Sequence, residues 1–125
     1  MKVNGRVVSG SGSGHLFTEL EWAKRQFIQL LGFEPFLGTL NIMLEGTTNQ
    51  DILELGQCRI LTIYPPDNSY SSGIILRVII GDAIRGAIVI PQVRNYEPHL
   101  LEIVAPINLR EKLRLKDGDM VTLDI

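Results

Sequence analysis

The chain has 125 residues and a formal net charge of −2, with 45% hydrophobic and 21% charged residues. This length suits one domain with its own hydrophobic core, so we expect residues 1–125 to form a single domain. The composition excludes a disordered chain, and the absence of excess positive charge argues against nucleic acid as a partner.

The single cysteine, Cys58, excludes a disulfide within the chain and favours a reducing compartment such as the cytoplasm. Cys58 begins the apolar segment 58–63, which predicts a buried side chain. The N-terminus lacks the pattern of a signal peptide, and no apolar run approaches the roughly 20 residues that a membrane-spanning helix needs. We therefore expect a cytoplasmic protein without a membrane partner.

Residues 2–8 predict a first strand, and a loop with three glycines in five residues follows at 10–14. Glycine lets several backbone N–H groups approach an anion closely, so this loop could bind a phosphate. A flexible connector is the alternative, since the spacing matches neither the Walker A pattern nor the dinucleotide-binding pattern. His15 follows the loop and could donate to a phosphate, although loop histidines are commonly only solvated.

The next segment predicts the one main helix of the chain. Thr18, with Glu21 three residues later, predicts a capping box, and Phe17 predicts a hydrophobic staple with Trp22. Gly32 stands where a left-handed C-terminal cap belongs. Helical spacing predicts one apolar face made of Leu20, Ala23, Phe27, Leu30 and Leu31.

The remainder of the chain predicts strands and turns, with a short helix at 108–113. Gly81 and Asp82 predict a two-residue hairpin, and Pro91 ends its second strand. About six short strands and one main helix predict a mostly β, compact and largely antiparallel barrel. The predicted strands after the main helix are 39–44, 58–64, 73–80, 83–90, 100–104 and 120–125.

Thr39 and Asn41 are the first candidates for a metal site. Alternation along the strand puts Leu40, Ile42 and Leu44 on the core face, so Thr39 and Asn41 share the opposite face. A hydroxyl and an amide oxygen suit a hard cation that also takes substrate phosphates as ligands. The alternative is an ordinary Thr/Asn pair facing solvent.

Glu102 interrupts an apolar strand at 100–104, where a carboxylate needs a partner or a cleft. It could accept a hydrogen bond from a substrate hydroxyl, or it could be an edge-strand glutamate facing water. Arg110, in the predicted short helix, could bind a phosphate or pair with Glu111 or Asp117.

Together these segments resemble the archaeal CTP-dependent riboflavin kinase family. The resemblance runs nearly end to end and is most specific over residues 31–41 and 103–111, with the glycine loop as a third match in the same order. It implies a six-stranded cradle-loop barrel related to swapped-hairpin barrels. It also implies transfer of the γ-phosphoryl group of CTP to riboflavin, with Mg²⁺ as the cofactor and FMN and CDP as products.

The resemblance also implies roles for individual residues. Thr39 and Asn41 would be the Mg²⁺ ligands, Glu102 would act at the ribityl hydroxyl of the flavin, and Arg94 would be a second flavin or phosphate contact. Two positions depart from the family pattern: His15 stands where an arginine is expected, and Arg94 where the family can have a small hydroxyl residue. The implied nucleotide-binding residues are Gly10, Ser11, Gly12, Ser13, Gly14, His15, Ile107, Asn108, Leu109 and Arg110.

The glycine loop and the Thr39/Asn41 pair are expected to converge on one nucleotide–magnesium complex inside the closed barrel of a monomer. A barrel that binds flavin or nucleotide without turnover, acting as a sensor or regulator, is the main alternative. A DNA-binding regulator on a swapped-hairpin barrel is another, and it would need a basic face.

Overall fold

The computed structural model describes residues 1–10 and 12–125. Within these residues there are seven strands, three α-helices and two 3-10 helices. The strands are β1 (Lys2–Val7), β2 (Leu40–Leu44), β3 (Leu61–Ile63), β4 (Gly73–Ile80), β5 (Ile84–Pro91), β6 (Leu100–Val104) and β7 (Met120–Asp124). The α-helices are α1 (Glu21–Leu31), α2 (Asn49–Leu55) and α3 (Leu109–Lys112), and the 3-10 helices are Gly14–Thr18 and Gln57–Arg59.

Six of these strands close into a barrel in the order β4-β5-β6-β2-β1-β7, and β7 pairs back onto β4. All of the pairs are antiparallel. β3 pairs with β4 and continues the sheet outside the ring. The predicted mostly β, six-stranded barrel with one main helix is therefore confirmed.

The interior of the barrel is filled by apolar side chains from alternate positions of its six strands. These side chains fill the interior of the small barrel, so no room for a substrate is left there. A substrate site therefore has to lie on the outer surface. The prediction of a site inside the barrel is wrong for this reason. Interior residues from the six strands include Val7, Ile42, Leu76, Ile88, Leu101 and Leu123.

Helix α1 covers the outer face of part of the barrel, so β6 is buried on both of its faces. Ala23 and Phe27 of α1 are fully buried against side chains of β3, β4, β5 and β6. Leu20, Leu30 and Leu31 are partly buried on the same side, as the helical spacing predicts. The helix ends at Gly32 with φ of 80°, which confirms the left-handed cap.

The start of α1 differs from the prediction, because its cap is Leu20 and not Thr18. Thr18 ends the preceding 3-10 helix, and its hydroxyl donates to the carbonyl oxygen of His15 at 2.6 Å. The same hydroxyl accepts the backbone N–H of Gly38 at 2.8 Å. Thr18 therefore joins the 3-10 helix to the segment before β2, and the predicted capping box is wrong.

Helix α2 was not expected from the sequence, which predicted only strands and turns in this part of the chain. A capping box starts it: the Thr48 hydroxyl accepts the Asp51 N–H at 3.2 Å, and the Asp51 carboxylate accepts the Thr48 N–H at 3.0 Å. The hydrogen bonds from Thr48 hold the pKa of Asp51 below its usual range. Thr47 and Thr48 are β-branched and favour strands, which argued against a helix start here. Threonine is nevertheless a common N-cap residue.

Two further local predictions are wrong. Cys58 is exposed, because it lies in the 3-10 helix 57–59 before β3 begins. The β4–β5 hairpin has three connecting residues, 81–83, since Ile80 pairs with Ile84. Gly81 has φ of 62°, which favours glycine at that position.

Among the described residues, no helix has the length and hydrophobicity needed to cross a membrane. The short helix predicted at 108–113 is present as α3, and the Asn108 side chain caps it by accepting the Glu111 N–H at 3.2 Å.

Candidate active site

The candidate site lies on the outer face of the barrel where β2 and β6 pair. Asn41 stands directly opposite Glu102 in this pair. Glu102 has no exposed surface. β6 lies between β5 and β2, so the alternative of an edge-strand glutamate facing water is wrong. A carboxylate buried in this way has to be satisfied by hydrogen bonds.

Three donors surround the Glu102 carboxylate, and each comes from a different segment. The Gly14 N–H donates to Oε2 at 2.8 Å, and the Tyr96 hydroxyl donates to the same oxygen. The Thr39 hydroxyl lies 3.0 Å from Oε1. These contacts join the glycine loop, the connection before β6 and the segment before β2 at one carboxylate.

Thr39 and Asn41 lie side by side, with the Thr39 hydroxyl 2.9 Å from Asn41 Oδ1. That hydroxyl has one hydrogen and two acceptors within reach, Asn41 Oδ1 and Glu102 Oε1. Asn41 is 8% exposed, so its amide faces the site and not bulk solvent. Two neutral oxygens at this spacing fit a hard cation that is held mainly by a ligand's phosphates.

The glycine loop passes directly over these residues. A Cβ atom on Gly10 would lie 2.6 Å from Asn41 Nδ2, and a Cβ on Gly12 would lie 2.4 Å from Glu102 Cδ. Glycine is therefore needed here for close backbone approach to side chains of the site. The structure thus brings Gly12 and Asn41 to the same side of the molecule. Ser11 lies outside the described residues.

Ser13 and His15 flank the close approach. Ser13 precedes the 3-10 helix without a side-chain cap, and His15 is exposed within that helix. His15 Nδ1 lies 2.6 Å from the carbonyl oxygen of Gly12, so the imidazole bridges the loop to the 3-10 helix. The ring is accessible from solvent beside the loop.

Gly12→Ala is expected to lower the free energy of unfolding by about 1–3 kcal/mol. The new methyl group either displaces the buried Glu102 carboxylate or lifts the loop, and both movements break the Gly14–Glu102 hydrogen bond. Urea unfolding measures the change, with Ser13→Ala in the same loop as the control. Equal unfolding free energies for Gly12→Ala and the unchanged chain would contradict the close contact.

The other candidate nucleotide-binding residues line a cavity next to Thr39. Ile107, Asn108, Leu109 and Arg110 meet residues 36–40 around a cavity of about 130 Å³, and Thr39 is part of its wall. The second half of the candidate nucleotide site therefore adjoins Thr39.

Arg110 is engaged in an ion pair, which was one of its two sequence-based alternatives. Its Nη2 lies 2.7 Å from Asp117 Oδ1 and donates to the Val8 carbonyl oxygen at 3.3 Å. The Ser9 hydroxyl donates to the same carboxylate at 2.6 Å. The hydrogen bond from Ser9, followed by that from Arg110, holds the pKa of Asp117 below its usual range. Arg110 is thereby linked to the start of the glycine loop.

Arg94 is exposed in the connection 92–99, between β5 and β6. It lines a cleft of about 610 Å³ together with Gly10, Gly12 and Tyr96. The glycine loop therefore shares a cleft with Arg94, whereas Ile107 to Arg110 share a separate cavity with Thr39. Tyr96 in the cleft and Thr39 in the cavity wall both contact Glu102.

Sequence reasoning missed two residues that organise the site. Tyr96 contacts Glu102 directly, and Thr18 ties Gly38, next to Thr39, to the 3-10 helix. The sequence did carry a signal for the turn that places Tyr96, because the preceding Asn95 is a residue type that tolerates a left-handed backbone. Thr18 gave a misleading one, because its spacing to Glu21 matches a capping box.

The family model CTP-dep_RFKase, described as "Domain of unknown function DUF120", matches residues 7–125. The chain belongs to this family, the archaeal CTP-dependent riboflavin kinases. The match spans the glycine loop, the Thr39/Asn41 pair, Glu102 and the segment 107–110, so every described element of the candidate site lies within it.

The curated relatives of this chain include three proteins named riboflavin kinase. The protein of Methanococcus maripaludis is 37% identical over 129 residues, which covers 100% of both chains. The proteins of Saccharolobus solfataricus and Methanosarcina barkeri are each 33% identical, and both alignments cover 100% of this chain. The chain spans 74% of the Saccharolobus protein and 56% of the Methanosarcina protein. Some family members are thus much longer than this sequence.

Proposed function

We propose that the chain transfers the γ-phosphoryl group of CTP to the 5′-hydroxyl of riboflavin, giving FMN and CDP. One observation carries the proposal: a buried glutamate is hydrogen-bonded to the hydroxyl of a neutral Thr/Asn oxygen pair beneath a glycine loop. Phosphoryl transfer depends mainly on positioning and charge neutralisation, and this arrangement supplies groups for both. The relatives' name, riboflavin kinase, supports the choice of acceptor.

Thr39 and Asn41 are the residues that would hold Mg²⁺. The described residues contain no cluster of three His, Cys, Asp or Glu side chains able to hold a metal ion, so a cation here depends on neutral oxygens and on the nucleotide's own phosphates. When bound, Mg²⁺ would neutralise charge on the triphosphate. Because Thr39 also contacts Glu102, the cation would lie next to the carboxylate.

The glycine loop and residues 107–110 would hold the nucleotide, and the cleft containing Arg94 would hold the flavin. Glu102 would accept a hydrogen bond from the acceptor hydroxyl and take its proton as the new P–O bond forms. The bond between the γ-phosphorus and the β–γ bridging oxygen breaks, and CDP leaves with that oxygen. Since Glu102 is fully covered, the hydroxyl has to replace one of the carboxylate's present contacts.

The test is an assay with riboflavin, Mg²⁺ and each of CTP, ATP, GTP and UTP, with FMN followed by chromatography. We expect FMN to form with CTP, and to form far more slowly with the other three nucleotides. Addition of excess EDTA is expected to stop the reaction, and excess Mg²⁺ is expected to restore it.

The outcomes separate the alternatives. FMN formation with ATP in preference to CTP would contradict the proposed donor while leaving the phosphotransferase reaction in place. Binding of riboflavin or CTP without FMN formation, under all four nucleotides, would contradict the enzyme and favour a sensor barrel. Calorimetric titration of each ligand measures that binding separately.

A further inference from the structure

The two oxygens of the Glu102 carboxylate have different surroundings. Oε2 accepts from two donors, the Gly14 N–H and the Tyr96 hydroxyl, whereas Oε1 faces the Thr39 hydroxyl. Thr39 can turn its hydrogen to Asn41 instead, since Asn41 Oδ1 is 2.9 Å away. Oε1 can therefore lose its present hydrogen bond, because Thr39 has another acceptor within reach. Oε2 is held in place by its two donors.

Of the two donors to Oε2, Tyr96 is the one on a segment that is anchored outside the glycine loop and its 3-10 helix. The Asn49 side chain donates to the carbonyl oxygens of Glu97 at 2.9 Å and Leu100 at 3.2 Å, which fixes the connection on both sides of residues 98–99. Asn95 has φ of 59°, and this turn directs Tyr96 back toward the barrel, where it packs against the interior cluster.

We propose that Tyr96 is a positioning residue that holds Glu102 Oε2 so that Oε1 is aimed at the acceptor hydroxyl. This inference rests on the proposed function. The Tyr96 contact does not depend on the position of the glycine loop, because the connection 92–99 is held by Asn49. Without Tyr96, Oε2 would accept only from the Gly14 N–H, and the carboxylate would be free to turn about that single contact.

The protonation of Tyr96 is consistent with this role. Burial raises the pKa of Tyr96, and the hydrogen bond to Glu102 and the charge of Glu102 raise it further. The hydroxyl therefore remains a donor through neutral and mildly alkaline pH.

The experiment compares Tyr96→Phe with the unchanged chain in the FMN-forming assay. Tyr96→Phe removes the hydroxyl and keeps the packed ring. We expect kcat to fall roughly 10- to 100-fold, as for loss of a group that orients an essential side chain, with KM for CTP unchanged. Tyr64→Phe, at an exposed position, is the matched control and should leave kcat unchanged.

A second arm separates positioning from a structural role. In the Glu102→Gln background, Tyr96→Phe should change kcat less than about two-fold, because its effect passes through the carboxylate. Asn95→Ala, at an exposed site, keeps the Tyr96 hydroxyl but disfavours the turn that aims it, so it should also lower kcat. Circular dichroism and thermal unfolding of each variant give the folded fraction.

The results separate the inference on Tyr96 from the proposed function. If the unchanged chain forms FMN and Tyr96→Phe or Asn95→Ala retains full kcat per folded molecule, the inference on Tyr96 fails and the proposed function stands. Independent, multiplicative losses from Tyr96→Phe and Glu102→Gln would also overturn it. If the unchanged chain forms no FMN with any nucleotide, the proposed function fails and this inference fails with it.

Discussion

Glu102→Gln is expected to lower kcat for FMN formation by about 10²–10⁴-fold while CTP affinity stays within about two-fold. Glutamine has the same shape, and its amide oxygen can accept from Gly14 and Tyr96 while its NH₂ group donates to the Thr39 oxygen. The fold should therefore survive. The variant loses the negative charge that would orient the acceptor hydroxyl, and it can no longer accept the proton of that hydroxyl.

The measurement is steady-state kinetics with both substrates varied, together with calorimetric CTP binding and thermal unfolding. Glu54→Gln, at an exposed position on α2, is the matched control and should leave kcat unchanged. A Glu102→Gln chain with unaltered turnover would show that the carboxylate does not serve the acceptor hydroxyl. A loss that appears only as weaker CTP binding would move Glu102 to the nucleotide site instead.

The double variant Thr39→Ala with Asn41→Ala is expected to lower Mg²⁺-dependent FMN formation by at least about 100-fold. Both oxygens that would hold the cation are removed, and Glu102 also loses its contact with the Thr39 hydroxyl. The barrel should persist, because the opposite face of β2 is made of Leu40, Ile42 and Leu44 in the core. FMN formation is followed across a Mg²⁺ titration at saturating CTP and riboflavin.

The chain offers a matched control for this variant. The Thr122 hydroxyl donates to Asn4 Oδ1 at 2.7 Å, which is the same pair of residue types on an exposed part of β1 and β7. Thr122→Ala with Asn4→Ala should leave the Mg²⁺ dependence unchanged. Equal losses from the two double variants would point to general destabilisation, and full activity of the Thr39/Asn41 variant would remove the pair from the metal site.

Much of the candidate site could be predicted from local pattern. Alternation along β2 predicted that Thr39 and Asn41 share one face, and both side chains lie together there. Glu102 stood out because it is charged within an apolar strand, and it is indeed buried. The barrel class followed from one amphipathic helix among short alternating strands, because helical and strand periodicities are carried by neighbouring residues.

Some predictions went wrong where the local pattern allowed more than one structure. Thr18 fits the local pattern of a helix cap, but its hydroxyl contacts Gly38 instead, 20 residues along the chain. Cys58 begins an apolar stretch, but its first two residues belong to a 3-10 helix at the surface before the strand begins at Leu61. Local pattern assigns a preference, and tertiary contacts then select among the conformations that the pattern allows.

The sequence by itself determined the class of the fold, the apolar faces of its elements and the residue types available for chemistry, because these depend on short-range periodicity. The tertiary structure alone decided that Asn41 stands opposite Glu102, that the site lies outside the filled barrel, and that Tyr96 reaches the same carboxylate. Strand order and register depend on pairings between distant segments, and no local pattern in either segment specifies its partner.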